Sequence, residues 1–173
     1  MGRIALSVLA CWLIAVASHA DSWAFKDSVQ TWRFADGLRV DVITDAQRDG
    51  SANQYVKIVR GSRVLGILNG VGFETLVESP DHRLYVGLSN TGLPGTAAVV
   101  FDHDGRVLLY ASHWAGSFAY CRASVTIDRT WYDGKNPDVR FDDGKITLND
   151  CSGTRISLFE AVGQALAPRG ESG

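Results

Sequence analysis

The sequence predicts an all-β protein, an antiparallel β-sandwich or barrel of about 10–12 short strands with a short C-terminal helix. Apolar and polar residues alternate with period two along most of the chain. Asp-Gly and Pro-Asp steps interrupt that alternation at short intervals, where Gly accepts a positive φ and Asp bonds its own backbone. Most of the 19 acids are Asp rather than Glu. Asp suits turns and disfavours helix interiors, so the choice of acid points the same way.

The N-terminus reads as an export signal. Met1-Gly2-Arg3 is a short positive start, Ile4 to Ala17 is an apolar run, and Ser18 and Ala20 sit where a signal peptidase reads small residues. The run is shorter than the about 20 residues that a membrane-spanning helix needs. Residues 1–20 are therefore expected to be cleaved, leaving 21–160 as a single β domain and 161–173 as a short helix or flexible tail. The expected location is periplasmic or secreted, with no stable membrane insertion after cleavage. The chain has 17 Lys and Arg against 19 Asp and Glu, and loss of Arg3 makes it slightly more acidic. A sequence-independent grip on nucleic acid or anionic lipid needs a basic surface, which this balance does not supply.

Of three cysteines, Cys11 leaves with the signal, so Cys121 and Cys151 remain as an even pair. An oxidising compartment favours their disulfide, and a redox pair would want close Cys-x-x-Cys spacing.

Along the chain, "LRVDVITD" (38–45) puts Leu38, Val40 and Val42 on one face and Arg39 and Asp41 on the other. "RLYVGLS" (83–89) follows the "SPDHR" turn with the same period. "AAVVFD" (97–102) and "VLLYA" (107–111) are apolar on both faces, which predicts central strands covered on two sides. "CRASVTID" (121–128) alternates most regularly, and "VRF", "KITL" and "TRISLF" repeat the pattern after it. Helical spacing occurs in "LFEAVGQALA" (158–167), before the tail.

If consecutive strands pair as hairpins, their connections alternate between two ends. The turns near 35–37, 60–63, 79–83 and 102–105 fall at one end and are short. Residues 45–54, 69–72, 90–95 and 112–118 fall at the other and are longer, which is where binding residues are expected. The disulfide tests this scheme. A strand of eight residues is about 26 Å long, whereas bridged Cα atoms lie about 4.4–6.8 Å apart. Residues 129–138 are therefore expected to run back along the sheet and bring Cys151 to the same end as Cys121.

"SNTGLPGT" (89–96) is glycine-rich but leads into a strand and carries no lysine, so it predicts a bend rather than a phosphate cradle. "DHDG" (102–105) lacks the later carboxylates of a calcium loop. His82, His103 and His113 lie in separate connections and read as scattered surface residues, not metal ligands. No Gly-x-Ser-x-Gly elbow surrounds Ser112 or Ser117. No metal or cofactor is expected. The aromatic stretches "HWAGSFAY" (113–120) and "TWYDG" (130–134) suit either core packing or an exposed recognition surface, while Trp23 and Trp32 are expected in the core. Candidate binding residues are Arg48, Asn53, Asn90, Thr91, Leu93, Trp114 and Ser117.

The layout of a Gly-Ser loop, "QYVKIV" (54–59), a Ser-to-Gly loop and an "FDHDGRV" (101–107) hairpin is similar to that of periplasmic lysozyme inhibitors. That resemblance implies that the Arg48–Asn53 or Trp114–Ser117 loop inserts into a catalytic cleft. "SPDHRLYVGLS" (79–89) also resembles a strand pair of a β-propeller, although blades of about 40–45 residues each leave this chain short of a full ring. The functional expectation is an exported, non-enzymatic protein that binds a protein partner in an inhibitor-like or immunity-like role. The alternatives are an envelope glycan-binding module, a hydrolase whose carboxylates the fold assembles, and an envelope-assembly part joined through a sheet edge.

Overall fold

The structure is a computed structural model describing residues 25–91, 95–114, 118–123, 128–134, 137–142 and 144–158. The expected signal at 1–20, Trp23 and nearly all of the expected C-terminal helix lie outside the described residues. The fold is all-β. The first sheet is an antiparallel meander of β1 (Ser28–Arg33), β2 (Leu38–Ala46), β3 (Ala52–Arg60) and β4 (Arg63–Asn69) in sequence order. The middle sheet repeats that arrangement with β5 (Thr75–Glu78), β6 (Leu84–Leu88), β7 (Thr96–Asp102) and β8 (Val107–Ser112). A two-stranded pair, β9 (Arg122–Ala123) and β10 (Arg129–Thr130), precedes the third sheet of β11 (Arg140–Asp142), β12 (Lys145–Asn149) and β13 (Arg155–Ser157).

Two hydrophobic cores order these sheets into layers. Leu38, Val40, Val42, Val56 and Ile58 of the first sheet share one core with Tyr85, Val99 and Phe101 of the middle sheet. Val86, Leu88, Ala98 and Val100 alternate with them along β6 and β7 and enter a second core with Trp131, Tyr132, Ile146 and Leu148. The middle sheet is thus covered on both faces, and β7 is buried from Thr96 to Phe101. This is why "AAVVFD" has no polar side until Asp102. Burying one such side chain stabilises the fold by about 1.5–3 kcal/mol.

The short-turn end is tied across the first and middle sheets by Arg60. Its guanidinium meets Asp36 at 3.2 Å and donates to the His103 carbonyl at 2.7 Å. The "DHDG" segment is a hairpin turn, in which Asp102 Oδ1 accepts the Asp104 and Arg106 N–H groups and Gly105 adopts φ +81°. Trp32 is half-buried beside the first core, with its ring centroid 5.5 Å from that of Phe73.

Two strand expectations are corrected. β8 is an edge strand, not a central one, and Val107, Leu108 and Tyr110 are 38–42% exposed. Leu109 and Ala111 alone turn into the core, because only one face of the strand has a layer opposite it. "CRASVTID" does not form one eight-residue strand either. Arg122–Ala123 pairs antiparallel with Arg129–Thr130, so the chain reverses between them. Three described points then meet the segment of β12 and Asp150: Tyr132 bridges Asp150 antiparallel, the Pro137 carbonyl accepts from Asn149 N–H, and Arg140 pairs with Thr147. The return run brings Cys121 and Cys151 into a disulfide with Cα atoms 6.0 Å apart.

Gly87 of β6 faces the Phe73 ring so closely that an added Cβ would lie 2.5 Å from a ring carbon. Gly87→Ala is expected to destabilise the protein by about 1–3 kcal/mol through overpacking, read as a lower urea midpoint at unchanged slope. An unchanged midpoint would show that Phe73 is free to move.

Candidate functional site

The long-connection end is organised by three residues that leave β6. The Ser89 carbonyl accepts the Trp131 indole N–H at 2.8 Å and the His113 Nε2–H at 3.1 Å. Asn90 Oδ1 accepts the N–H groups of Trp131 and Tyr132 at 3.0 and 3.4 Å, and its Nδ2 donates to the Tyr132 carbonyl at 3.2 Å. The Asn90 carbonyl accepts Arg129 N–H at 2.7 Å. Thr91 bridges Asp128. From the other side Glu74 accepts the Ser89 hydroxyl at 3.3 Å and the Thr91 hydroxyl. Residues 89–91 therefore form a joint between the middle sheet and the segment of β10 and the two residues that follow it. Asn90 and Thr91 are half-buried, and the Asn90 amide is committed to that joint rather than facing solvent.

His113 departs from the surface reading. It is 6% exposed, with Nε2–H donating to Ser89 and Nδ1 3.2 Å from the Tyr120 hydroxyl. Burial pushes its pKa down to about 4; the Ser89 hydrogen bond opposes the shift and the Arg129 charge adds to it. The imidazole is thus neutral near pH 7; the Tyr120 hydroxyl beside Nδ1 donates to the His113 carbonyl at 3.1 Å. His82 and His103 do lie at the surface, beside Glu78 and Asp104. Among the described residues, no group of three metal-ligating side chains converges.

The aromatic cluster divides into a buried part and an exposed part. Trp131, Tyr132 and Phe118 are buried, with the Phe118 and Trp131 ring centroids 4.8 Å apart. Trp114 is 61% exposed. The Arg129 guanidinium carbon lies 4.7 Å from its ring centroid and 5.8 Å from that of Tyr120. A cation over an aromatic face contributes about 0.5–1 kcal/mol at an exposed site. Here the guanidinium lies over the exposed indole and near the Tyr120 ring.

Local structure explains why Trp114 points outward. Its N–H donates to the Ser112 hydroxyl at 3.1 Å, closing a turn just after β8. The preceding His113 N–H is fixed to the Gly95 carbonyl at 2.7 Å, and its ring enters the core. Arg129 follows the β9–β10 reversal, where Cys121 N–H donates to the Thr130 carbonyl and Cys151 N–H to the Trp131 carbonyl, both at 3.0 Å. The disulfide therefore braces the strand that carries Arg129.

Among the other candidates, Arg48 is exposed in the β2–β3 connection and Asn53 is exposed near the start of β3. No hydrogen bond or ion pair joins either to the Trp114 patch among the described residues. Leu93 and Ser117 lie outside the described residues. Arg129 and Glu74 were not singled out by spacing, since each gains its surroundings from segments distant in sequence.

The pH dependence follows from the direction of the His113 shift. The unfolded imidazole gains a proton near pH 6.5 and the folded one only near pH 4, so acid favours unfolding between those values. The contribution is complete above about pH 6.5 and falls by roughly 2–3 kcal/mol on reaching pH 4.5. His113→Gln keeps a neutral donor and is expected to remove that part of the acid loss. Paired urea titrations at pH 7.5 and 4.5 isolate it, because the carboxylates contribute alike to both proteins. Equal acid losses would place His113 in water. Comparison with protein-family models, with curated proteins and with solved structures finds no match for this chain.

Proposed function

We propose that this chain is an exported, non-enzymatic binding protein that captures a protein partner through its long-connection end. The observation that carries this reading is Trp114, a large apolar ring left 61% exposed with the Arg129 guanidinium stacked on it. Trp, Tyr and Arg dominate the energetics of protein interfaces because they offer large contact area with polar handles. Here all three types meet at one place. They lie beside the joint of Ser89, His113 and Trp131, whose hydrogen bonds hold the backbone that carries them.

The edge strand that leads to Trp114 also exposes apolar side chains. Leu108 and Tyr110 are each 42% exposed on β8, only a few residues before Trp114. An inhibitor-like or immunity-like role fits such a preorganised surface, with Trp114 as anchor and Arg129 available to a carboxylate on the partner.

Trp114→Ala is expected to leave the thermal midpoint almost unchanged and to reduce partner capture at least tenfold, since a central Trp contributes about 2 kcal/mol or more. The measurement compares cross-linked material recovered from envelope extract by tagged wild type and by the variant, with melting curves alongside. A large fall in melting temperature with capture intact would assign Trp114 to the fold and remove the proposed surface.

A further inference from the structure

We infer that the outer face of the first sheet is a homodimer interface, on which a second copy of this chain packs through the same face. Leu38, Val40 and Val42 of β2, with Val56 and Ile58 of β3, turn inward to the first core. The residues between them lie on the opposite side, in rows across the sheet. Val29, Ile43 and Tyr55 form one row, and Thr31, Asp41, Lys57 and Ile67 form the next. Arg33, Arg39, Val59 and Val64 form the third. None of the apolar side chains in these rows enters either core. Val29, Ile67 and Val64 are 63%, 52% and 45% exposed, at the two edges of the face. An antiparallel sheet with one solvated side places polar residues there. Here β-branched residues and a tyrosine share that side with a few charges.

The charges say what covers it. Arg33 and Arg39 are direct cross-strand partners at one end of the face, and like charges so placed repel. Asp41 meets Arg39 at 3.1 Å, while no ion pair among the described residues engages Arg33. At the opposite end Asp45 is exposed and has no ion pair among the described residues either. Asp27 is at that end too, its Oδ1 accepting the Ala46 N–H at 2.8 Å.

A second copy turned about a two-fold axis that crosses the strands sets each arginine end over the other copy's aspartate end. Symmetry makes that contact twice, as an isologous interface requires. Turning about an axis along the strands would set arginine on arginine. The face therefore complements itself in one orientation, which singles out a second copy as its occupant. Strand spacing and rise make the face about 19 Å wide and about 24 Å long. That footprint is small for an obligate dimer, so a Kd near micromolar is expected.

Trp114 follows β8 of the middle sheet and belongs to none of these rows. Self-association here and capture of a protein at Trp114 therefore stand or fall separately.

The test is sedimentation equilibrium of the purified, folded protein from about 1 µM to about 300 µM, which brackets such a Kd. The mass is expected to rise from one chain to two and stop there. High salt should lower it by screening the end charges. Ile67→Lys places an unpaired charge in the contact and is expected to raise Kd tenfold or more, with the thermal midpoint of dilute protein kept. Asp45→Lys should raise Kd severalfold, and Trp114→Ala should leave it unchanged. Val29→Lys, at an exposed position on the other edge, serves if Ile67→Lys does not fold. The inference is overturned by a single-chain mass at every concentration, by growth beyond two chains, or by unchanged Kd in the folded variants of this face. Association lost in Tyr110→Lys or Trp114→Ala but kept in Ile67→Lys places the contact elsewhere and overturns it too.

Discussion

Val99 and Phe101 enter one core while Ala98 and Val100 enter the other, so the middle sheet has no wet face along β7. That double burial constrains everything around it. The backbone of such a strand must be paired by neighbours, since a buried unpaired N–H or C=O costs free energy comparable to a lost hydrogen bond. β6 and β8 supply those partners on either side. Polar chemistry is therefore pushed to the two ends of the sheet, and the ends differ. At one, short turns are fastened by Arg60 and its carboxylate and carbonyl partners. At the other, three consecutive residues with hydroxyl and amide side chains hold separate layers together.

That second end carries the Trp114 patch. Ser89 and Asn90 bind the backbone or ring nitrogens of His113, Trp131 and Tyr132, each of which lies more than 20 residues away in sequence. The same contacts that seal the second core also fix the turn after β8 and the strand carrying Arg129. With the buried rings anchored, Trp114 is left as the projecting member of the aromatic cluster. The disulfide acts on this neighbourhood, since both cysteine N–H groups donate to adjacent carbonyls of Thr130 and Trp131. In the chain-entropy picture a bridge closing a loop of this size contributes roughly 3–4 kcal/mol. The proposed surface thus borrows its rigidity from the core instead of needing its own.

Much of this architecture is legible in the residues, and the exceptions have physical causes. β2, β6, β7 and β12 follow their hydrophobic pattern because each has its apolar face or faces opposite another layer. β8 shows why composition alone misplaces an edge: "VLLYA" is as apolar as a central strand, yet no strand pairs beyond it among the described residues. β4 escapes the period because a bulge and Gly66 break its alternation. "CRASVTID" alternates well but reverses midway, and alternation carries no information about where a chain folds back. The burial of His113 and the exposure of Trp114 cannot be read from their adjacent positions. Ser89, 24 residues before His113, decides the first, and Arg129, 15 residues after Trp114, accompanies the second.

Native-state amide hydrogen exchange tests the layered arrangement most directly. If the middle sheet is covered on both faces, the Val99 and Val100 amides exchange only through global unfolding, and their opening free energy equals the stability from urea titration. β1, at the rim of the first sheet, exchanges through smaller openings. Exchange of Val99 and Val100 as fast as that of β1 would mean that one covering layer is absent, and the joint that fixes Trp114 would lose its foundation.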